Sequence, residues 1–392
     1  MTWHDKSCGE TVIETCRLNT GHVRLGVPLP GNVYDESGNM LLSKGQILDA
    51  QAQLDSLLAR GMYVEISVFE AQFKAGASGP LPVIEKKFDP FLVRGTLKIS
   101  LNRLQRSILD GSASVRQVLE FAGQLQLFAG TDAEAAIASC LLDRQEETYA
   151  VAHSLSTAII CTLLARQLAW PEARQRSAVC AALTMNLGML DAQQRLLRQA
   201  TPLTPAQLAQ VHAHPDESRA ALEKLGVDDP EWLAAVGQHH EKPAGSGYPR
   251  QLTAPAEAGQ LLRLVDVFGA RASSRADRRP LPPAQIVRTL FVEEGQGPCA
   301  ALVAALVKTI GIYPPGCFVK LANGENAVVF RHGAGPNTPV VAAVTSVSGM
   351  PTMQPVRRET QREGLAISAA VASDKITVGY DLGKLWISSA RS

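Results

Sequence analysis

Aromatic residues form only 5% of this 392-residue chain, and its formal net charge at pH 7 is +1. Nucleic-acid binding relies on a positive field and on stacking rings, so both shortages lead us to expect no nucleic-acid partner. The seven cysteines include no Cys-x-x-Cys pair. An odd number of scattered thiols excludes a disulfide scaffold and indicates a reduced, cytoplasmic protein.

Long apolar runs are also missing. The first six residues lack the hydrophobic stretch of a signal peptide. The most apolar helix candidate, residues 150–164, carries the polar residues His153, Ser154 and Thr157. A membrane helix tolerates few such groups, so we expect no membrane span.

The composition is that of a globular protein, because 46% of the residues are hydrophobic and 19% are charged. A chain of this length usually forms two or three domains. We predict a mainly α fold divided into a small mixed α/β N-terminal domain (1–70), a linker (71–96), a helical domain (97–311) and a β-rich C-terminal extension (312–392).

Local patterns support this division. In the N-terminal segment, Ser37-Gly38-Asn39 separates two short apolar runs as a hairpin turn would. In the central segment, apolar residues recur every three or four positions, which predicts helices over 146–168 and 174–183. Thr204 and Pro205 have the residue types of a helix N-cap and first turn.

The pattern changes after Gly311. The run from 318 to 330 has a central Asn323-Gly324 and predicts a hairpin. Segments 340–347 and 376–380 are further strand candidates.

The densest cluster of chemically capable residues is His239-His240-Glu241, followed by the turn Gly245-Ser246-Gly247-Tyr248-Pro249. Histidine is the side chain that most often binds a transition metal. Helices from distant parts of a bundle can bring such ligands together. Two metals held this way suit phosphodiester hydrolysis, because they activate water and neutralise developing charge.

This cluster resembles the second signature of HD-GYP domains, bacterial hydrolases of cyclic di-GMP. Further matches follow in the same order: Tyr149 with His153-Ser154, His214-Pro215, the helix around Asp266, and the hairpin after residue 316. The resemblance implies an HD-type helical bundle. It also implies the metal ligands His153, His214, His239, His240 and Asp266.

The chain departs from the family at the His-Asp pair, which is Met185-Asn186 here; Met189 replaces a lysine and Ala244 an aspartate. Asparagine is neutral and cannot bridge two ions as aspartate does, and methionine is a soft, weak ligand for iron or manganese. We therefore predict low or absent hydrolysis. Three histidines could still hold one divalent metal, iron or manganese, and a metal-free protein remains an alternative.

The resemblance further implies that Arg275 and Arg278 contact ligand phosphates, whereas the simpler interpretation is a solvated basic loop. The turn, with Glu241, Gly245, Gly247, Tyr248 and Pro249, sets a loop conformation. The resemblance adds that its tyrosine would be exposed and could dock a partner, such as a GGDEF-type signalling protein. His212 is predicted to face solvent, because it lies two residues from His214 on a helix.

Three functions remain open from the sequence. The first is a cyclic di-GMP signalling protein with an impaired site that acts by binding ligand or partner. The second is an active phosphodiesterase with an altered, mononuclear site. The third is an interaction scaffold without a nucleotide. The resemblance also implies a homodimer as an option.

Overall fold

The computed structural model describes residues 2–4, 12–18, 22–23, 25–35, 40–65, 68, 88–143, 148–273, 276 and 279–387. The chain forms two compact units, Met1–Lys86 and Lys87–Ser392. The predicted three-domain division stays a prediction, although the helical region and the C-terminal sheet belong to one of these units.

The first unit contains a five-stranded antiparallel sheet of order β1-β2-β5-β3-β4. Its elements are β1 (Thr2–His4), β2 (Val12–Arg17), β3 (Val33–Tyr34), β4 (Met40–Leu42), α1 (Gln51–Arg60) and β5 (Tyr63–Glu65). A small apolar core that includes Val33, Leu54 and Val64 joins the helix to the sheet. This is the mixed α/β structure that the sequence predicted.

The second unit is built mainly from helices. They are α2 (Pro90–Asp110), α3 (Val115–Thr131), α4 (Ala133–Leu142), α5 (Tyr149–Gln167), α6 (Glu172–Thr184), α7 (Leu190–Leu196), α8 (Pro205–Leu225), α9 (Pro230–Gln238), α10 (Glu257–Ala272), α11 (Pro283–Glu294), α12 (Ala300–Ile310) and α13 (Lys384–Ile387). Together with the β-rich ends of the chain, they confirm the predicted mainly α fold class.

Local sequence signals place the helix ends. Helix α2 begins where Asp89 accepts hydrogen bonds from the backbone N–H groups of Phe91 and Leu92, with Pro90 in the first turn. This start lies inside the segment predicted as linker, whose residues 71–87 are outside the described ranges. Helix α8 begins at the predicted Thr204 cap, which forms a capping box with Gln207.

Helix α5 is the central helix of the bundle. It is apolar on all sides, so it can be stable only when other helices surround it. Among the described residues it is the one helix that has the length and hydropathy of a membrane span, and 83% of that window is buried inside the fold. The pair α3 and α4 passes the same test only jointly, across a bend of 106°.

The C-terminal sheet has the strand order β10-β6-β7-β8-β9 and is antiparallel throughout. Its strands are β6 (Phe318–Leu321), β7 (Asn326–Arg331), β8 (Val340–Thr345), β9 (Pro351–Glu359) and β10 (Ile367–Val371). One face, with Phe318 and Phe330, packs on Trp386 and on Ala135 and Ala138 of α4. Arg331 reinforces this contact through ion pairs with Asp132 and Glu134.

One strand prediction is wrong. Residues 376–380 do not form a strand; Ile376 instead packs its side chain into the core beneath the sheet. The sequence analysis also missed β9 and β10. Strand β9 reads Pro-Thr-Met-Gln-Pro-Val-Arg-Arg-Glu and lies at the sheet edge with most residues exposed. An edge strand needs no buried apolar run, so hydrophobicity gave no signal.

Candidate metal centre

The predicted ligands come from four places in the bundle and meet in one region. His153 lies on α5, His214 on α8 and Asp266 on α10, while His239 and His240 directly follow α9. His153, His214, His240 and Asp266 line a cavity of about 430 Å³. His239 is fully buried and contacts His214. The described structure thus brings the five side chains together, and their role as ligands stays a prediction.

His214 and His239 are held with their Nε2 atoms facing each other at 3.1 Å. The Nδ1 of His214 donates to the Val211 carbonyl at 2.6 Å, and that of His239 donates to the Val236 carbonyl at 2.7 Å. Each proton therefore sits on Nδ1, and each Nε2 presents a lone pair to the other. Two lone pairs at this distance repel unless a cation lies between them.

Burial disfavours a proton as that cation, because it destabilises the charged form of an imidazole. It lowers the pKa of His214 to about 3, with a further contribution from the charge of His239. Burial lowers the pKa of His239 as well. A metal ion suits the arrangement, because metal-binding histidines usually donate their other N–H to a backbone carbonyl.

His240 completes the group. Ligand nitrogens of His214, His239 and His240 all lie within 4.8 Å of one another. Burial lowers the pKa of His240 well below its usual value, and the neighbouring His239 adds to this effect. Three neutral imidazoles at such distances can hold one divalent ion, so the residues fit a metal.

A stack of rings supports His240. Tyr248 lies against the ring of His240 with centroids 4.6 Å apart, and His212 covers the other side of the tyrosine at 4.4 Å. His212 is exposed, as predicted. Tyr248 is only half-exposed and lines the cavity, so the expectation of an exposed docking tyrosine is corrected.

Asp266 and His153 are paired with each other. The Nε2 of His153 donates to Oδ1 of Asp266 at 2.7 Å, and both residues are buried. Burial alone would raise the pKa of Asp266, but the hydrogen bond from His153 and the nearby imidazoles hold it well below its usual range. The carboxylate is therefore charged, and its hydrogen bond from His153 offsets the free-energy cost of burying it.

The positions of the family's His-Asp pair lie at the end of α6. Met185 is fully buried in the apolar core, whereas Asn186 is buried and lines the cavity beside His153 and His214. Gly188 packs against α8, where a Cβ atom would lie 2.9 Å from the carbonyl oxygen of His214. Gly188 therefore permits close packing of this segment on α8, and Asn186 presents a neutral amide to the cavity.

The loop after His240 is fixed by Glu241. Its buried carboxylate accepts hydrogen bonds from the backbone N–H groups of Arg250 and Leu252 at 2.6 and 2.9 Å. The loop includes a cis Tyr248–Pro249 peptide bond, and the N–H of Tyr248 donates to the His240 carbonyl. Glu241 thus shapes the loop and leaves no free oxygen for a metal.

Gly247 is required by close packing. A Cβ atom there would lie 2.3 Å from the Lys242 nitrogen and 2.5 Å from the His240 carbonyl oxygen. We expect Gly247→Ala to lower the free energy of unfolding by more than about 2 kcal/mol, because backbone atoms must move. Urea unfolding measures this loss, and metal titration should show weaker binding because His240 is displaced.

The matched control is Gly123→Ala on α3, where a Cβ atom would meet nothing within 4 Å. Alanine in an exposed helix should stabilise the protein by about 0.5–1 kcal/mol. Equal stabilities of the two variants would show that the loop has room at Gly247.

The buried histidines also predict a pH dependence for the metal-free protein. The pKa values of His214 and His239 are lowered on folding, so between about pH 6.5 and 4.5 the unfolded chain binds more protons than the native state. The free energy of unfolding should therefore decrease as the pH is lowered from 6.5 to 4.5, by up to about 1.4 kcal/mol per pH unit for each histidine.

Urea denaturation of chelator-treated protein at several pH values measures the slope. The hydrogen bond of His332 to Glu134 raises its pKa, so this residue changes stability mainly above pH 6.5. The variant His332→Gln should therefore keep the slope between pH 6.5 and 4.5. Constant stability from pH 6.5 to 4.5 would contradict the prediction.

Two predicted residues cannot be placed: Arg275 and Arg278 lie outside the described residues. The sequence did not predict that Gln193 and Gln199 line the cavity. Gln199 and Gln207 exchange side-chain hydrogen bonds of 2.7 and 3.1 Å, which hold this part of the cavity lining. The capping-box pair of Thr204 and Gln207 was the available signal for an ordered loop there.

Comparison with known proteins relates the central helices to HD domains. Residues 136–296 match the family described as HD domain. The chain is 28% identical over 256 residues to cyclic di-GMP phosphodiesterase PA4108 of Pseudomonas aeruginosa, which covers 64% of this chain and 59% of that protein. It is 33% identical over 138 residues to 3'3'-cGAMP-specific phosphodiesterase 3 of Vibrio cholerae, covering 34% of this chain and 29% of that protein.

A structural similarity to Bd1817, an HDG"Y"P protein from Bdellovibrio bacteriovorus, covers 75% of this chain and 99% of that one, with 17% identity and a TM-score of 0.48. The chain spans less than two thirds of the length of the curated relatives that it matches.

Residues 136–296 therefore match an HD domain. The His239–Pro249 signature and the similarity to the cyclic di-GMP enzyme support an HD-GYP type for this domain.

Proposed function

We propose that this protein binds cyclic di-GMP at a single divalent metal, held by His214, His239 and His240, and that it hydrolyses the ligand slowly or not at all. It would then act in signalling by binding ligand or partner. The relatives named above, which act on cyclic dinucleotides, support the ligand class.

The observation that carries the proposal is the pair of facing Nε2 atoms on His214 and His239. Their Nδ1 protons are committed to backbone carbonyls, and His240 offers a third nitrogen nearby. Iron and manganese accept imidazole ligands, and both remain candidates. When bound, such an ion would supply positive charge for a phosphate oxygen.

Two features support weak hydrolysis. Asn186 occupies the cavity position at which the family's aspartate would bridge two ions, and its amide carries no charge. Asp266, the remaining acidic ligand candidate, already accepts a hydrogen bond from His153. A site without a bridging carboxylate lacks the paired ions that stabilise both oxygens of a phosphoryl displacement.

Charge makes the metal necessary for binding a phosphate. The described cavity lining contains the carboxylate of Asp266 and three histidines, but neither lysine nor arginine. An ionised Asp266 repels a phosphodiester, and neutral imidazoles do not offset this repulsion. We therefore expect cyclic di-GMP to bind the metal-loaded protein and not the metal-free protein.

Calorimetry tests this with cyclic di-GMP titrated into manganese-loaded and chelator-treated protein. The proposal predicts saturable binding only in the loaded sample. Equal binding in both samples would contradict the metal-dependent site. No heat in either sample would leave only the third function, an interaction scaffold without a nucleotide. A parallel titration with 3'3'-cGAMP separates the two ligands that the relatives' names suggest.

The second candidate is an active phosphodiesterase with the same single metal. The retention of His153 and Asp266 beside the three histidines favours it, since a charged carboxylate next to a metal can orient water. Turnover of cyclic di-GMP that disappears in His240→Ala would establish this function. The GGDEF-type partner, the homodimer and the phosphate contacts of Arg275 and Arg278 stay predictions.

A further inference from the structure

A buried amide in the metal-site cavity has no partner within the described protein. Asn186 is 3% exposed and lines the cavity together with His214 and His240. Its backbone carbonyl accepts a hydrogen bond from the N–H of Met189 at 3.0 Å, but its side chain makes no hydrogen bond to any described residue. Buried side-chain amides are normally hydrogen-bonded, so this one calls for a partner that enters the cavity.

The backbone around Asn186 is held beside one of the candidate metal ligands. The N–H of Gly188 donates to the hydroxyl of Ser218 on α8 at 2.9 Å. A Cβ atom on Gly188 would lie 2.9 Å from the carbonyl oxygen of His214. The segment that carries Asn186 is thus packed on the turn of α8 that carries His214. The amide therefore belongs to the part of the cavity lining next to this histidine.

An amide at this position suits a phosphate oxygen better than the aspartate that the family resemblance implies. A carboxylate only accepts hydrogen bonds and repels a phosphodiester, and the ionised Asp266 already gives the cavity one negative charge. The side chain of Asn186 is neutral and carries two N–H donors. No lysine or arginine from the described ranges lines this cavity, so a neutral donor has no cationic competitor for an anion there.

We propose that the side-chain NH2 group of Asn186 donates a hydrogen bond to a phosphate oxygen of the bound cyclic dinucleotide. This inference rests on the function proposed above, because it places the phosphate in the same cavity. Asn186 then has a role of its own in ligand binding. It replaces a carboxylate, which needs a second ion beside a phosphate, by a hydrogen-bond donor, which does not.

The experiment compares the wild type with Asn186→Ala, both loaded with manganese. Calorimetry measures the binding of cyclic di-GMP and, separately, of inorganic phosphate, and metal analysis of the same samples counts the bound ions. The affinity of the variant for both probes should fall at least about tenfold, as expected for one lost hydrogen bond to a charged group. Its metal content should equal that of the wild type, because the amide does not hold the ion.

The matched control is Met185→Leu. Met185 is the neighbouring residue, and its side chain is buried in the apolar core. This control should bind both probes like the wild type. Asn186→Val covers the case in which the alanine variant does not fold, because valine is closer to asparagine in size and also lacks a donor. It should show the same loss of affinity.

The two probes separate failure of this inference from failure of the proposed function. Equal binding of cyclic di-GMP by the wild type and a folded Asn186 variant would overturn this inference alone, with water as the partner of the amide. Binding of phosphate but not of cyclic di-GMP by the wild type, with phosphate affinity lost in the variants, would overturn the proposed ligand and support the role of Asn186.

Two further outcomes are decisive. A manganese-loaded wild type that binds neither probe overturns both proposals. Loss of the metal in the folded Asn186 variants would make this residue a metal ligand and would overturn its assignment as a phosphate donor.

Discussion

Changing Met185 to histidine and Asn186 to aspartate together should raise the metal content from about one to about two ions per chain. Asn186 already lines the cavity beside His153 and His214, so an aspartate there would face the ligands directly. Its charge would offset that of a second ion, and its two oxygens would allow it to bridge. Metal analysis of the desalted protein measures the gain.

Hydrolysis should rise with the metal content. Changing a residue that only hydrogen-bonds to a metal ligand alters metal affinity or activity about 10–100-fold, so restoring a ligand and a bridge should raise turnover of cyclic di-GMP at least about a hundredfold. The single change Asn186→Asp separates the charge from the added imidazole. Met185→Leu is the control, since it keeps an apolar side chain in the core and adds no ligand.

The double variant also tests the shape of the site. Met185 is fully buried among apolar residues, and a histidine that fails to reach the metal would leave a polar ring there. A folded double variant with no gain in metal would contradict our account of Asn186 as the residue that prevents a second ion. Urea unfolding of the same sample shows whether the fold is intact.

The second large effect is expected for His240→Ala. Removing one of three imidazoles leaves two nitrogens, fewer than the three protein ligands typical of a mononuclear centre. We expect the metal affinity to fall more than about a hundredfold, beyond the range seen when only a hydrogen-bond partner of a ligand is changed. Binding of cyclic di-GMP should be lost with the metal, because the described cavity lining then keeps only the negative charge of Asp266.

His212→Ala is the matched control for this variant. His212 is exposed, lies two residues from His214 and contacts only the outer side of Tyr248 in the ring stack. The control should retain its metal, with at most a small change from weaker support of Tyr248. Equal metal loss in both variants would mean that the histidine stack, and not ligation by His240, holds the ion.

Much of the fold could be predicted from the sequence, because local signals determine where helices begin and which of their faces are apolar. The Thr204 cap and the apolar periodicity of α5 appear where they were predicted. Strand β9 was missed, because a strand at a sheet edge can be polar and can contain proline. Segment 376–380 is apolar because Ile376 fills the core under the sheet, and periodicity alone does not separate this case from a strand.

The arrangement of the candidate metal centre could be predicted from the sequence only in part. The resemblance to HD-GYP domains implied which side chains meet, but it contained no distances between them. The pairing of Asp266 with His153 and the facing Nε2 atoms of His214 and His239 depend on how α5, α8, α9 and α10 pack. Likewise, the half-buried position of Tyr248 follows from its contact with His240, which the turn sequence alone does not specify.

The most direct test of the account is the number of metal ions bound per chain. The wild-type protein would be saturated with manganese or ferrous iron, desalted, and analysed for metal and protein in one sample. The account predicts about one ion per chain, held by His214, His239 and His240. About two ions per chain, or none, would contradict it.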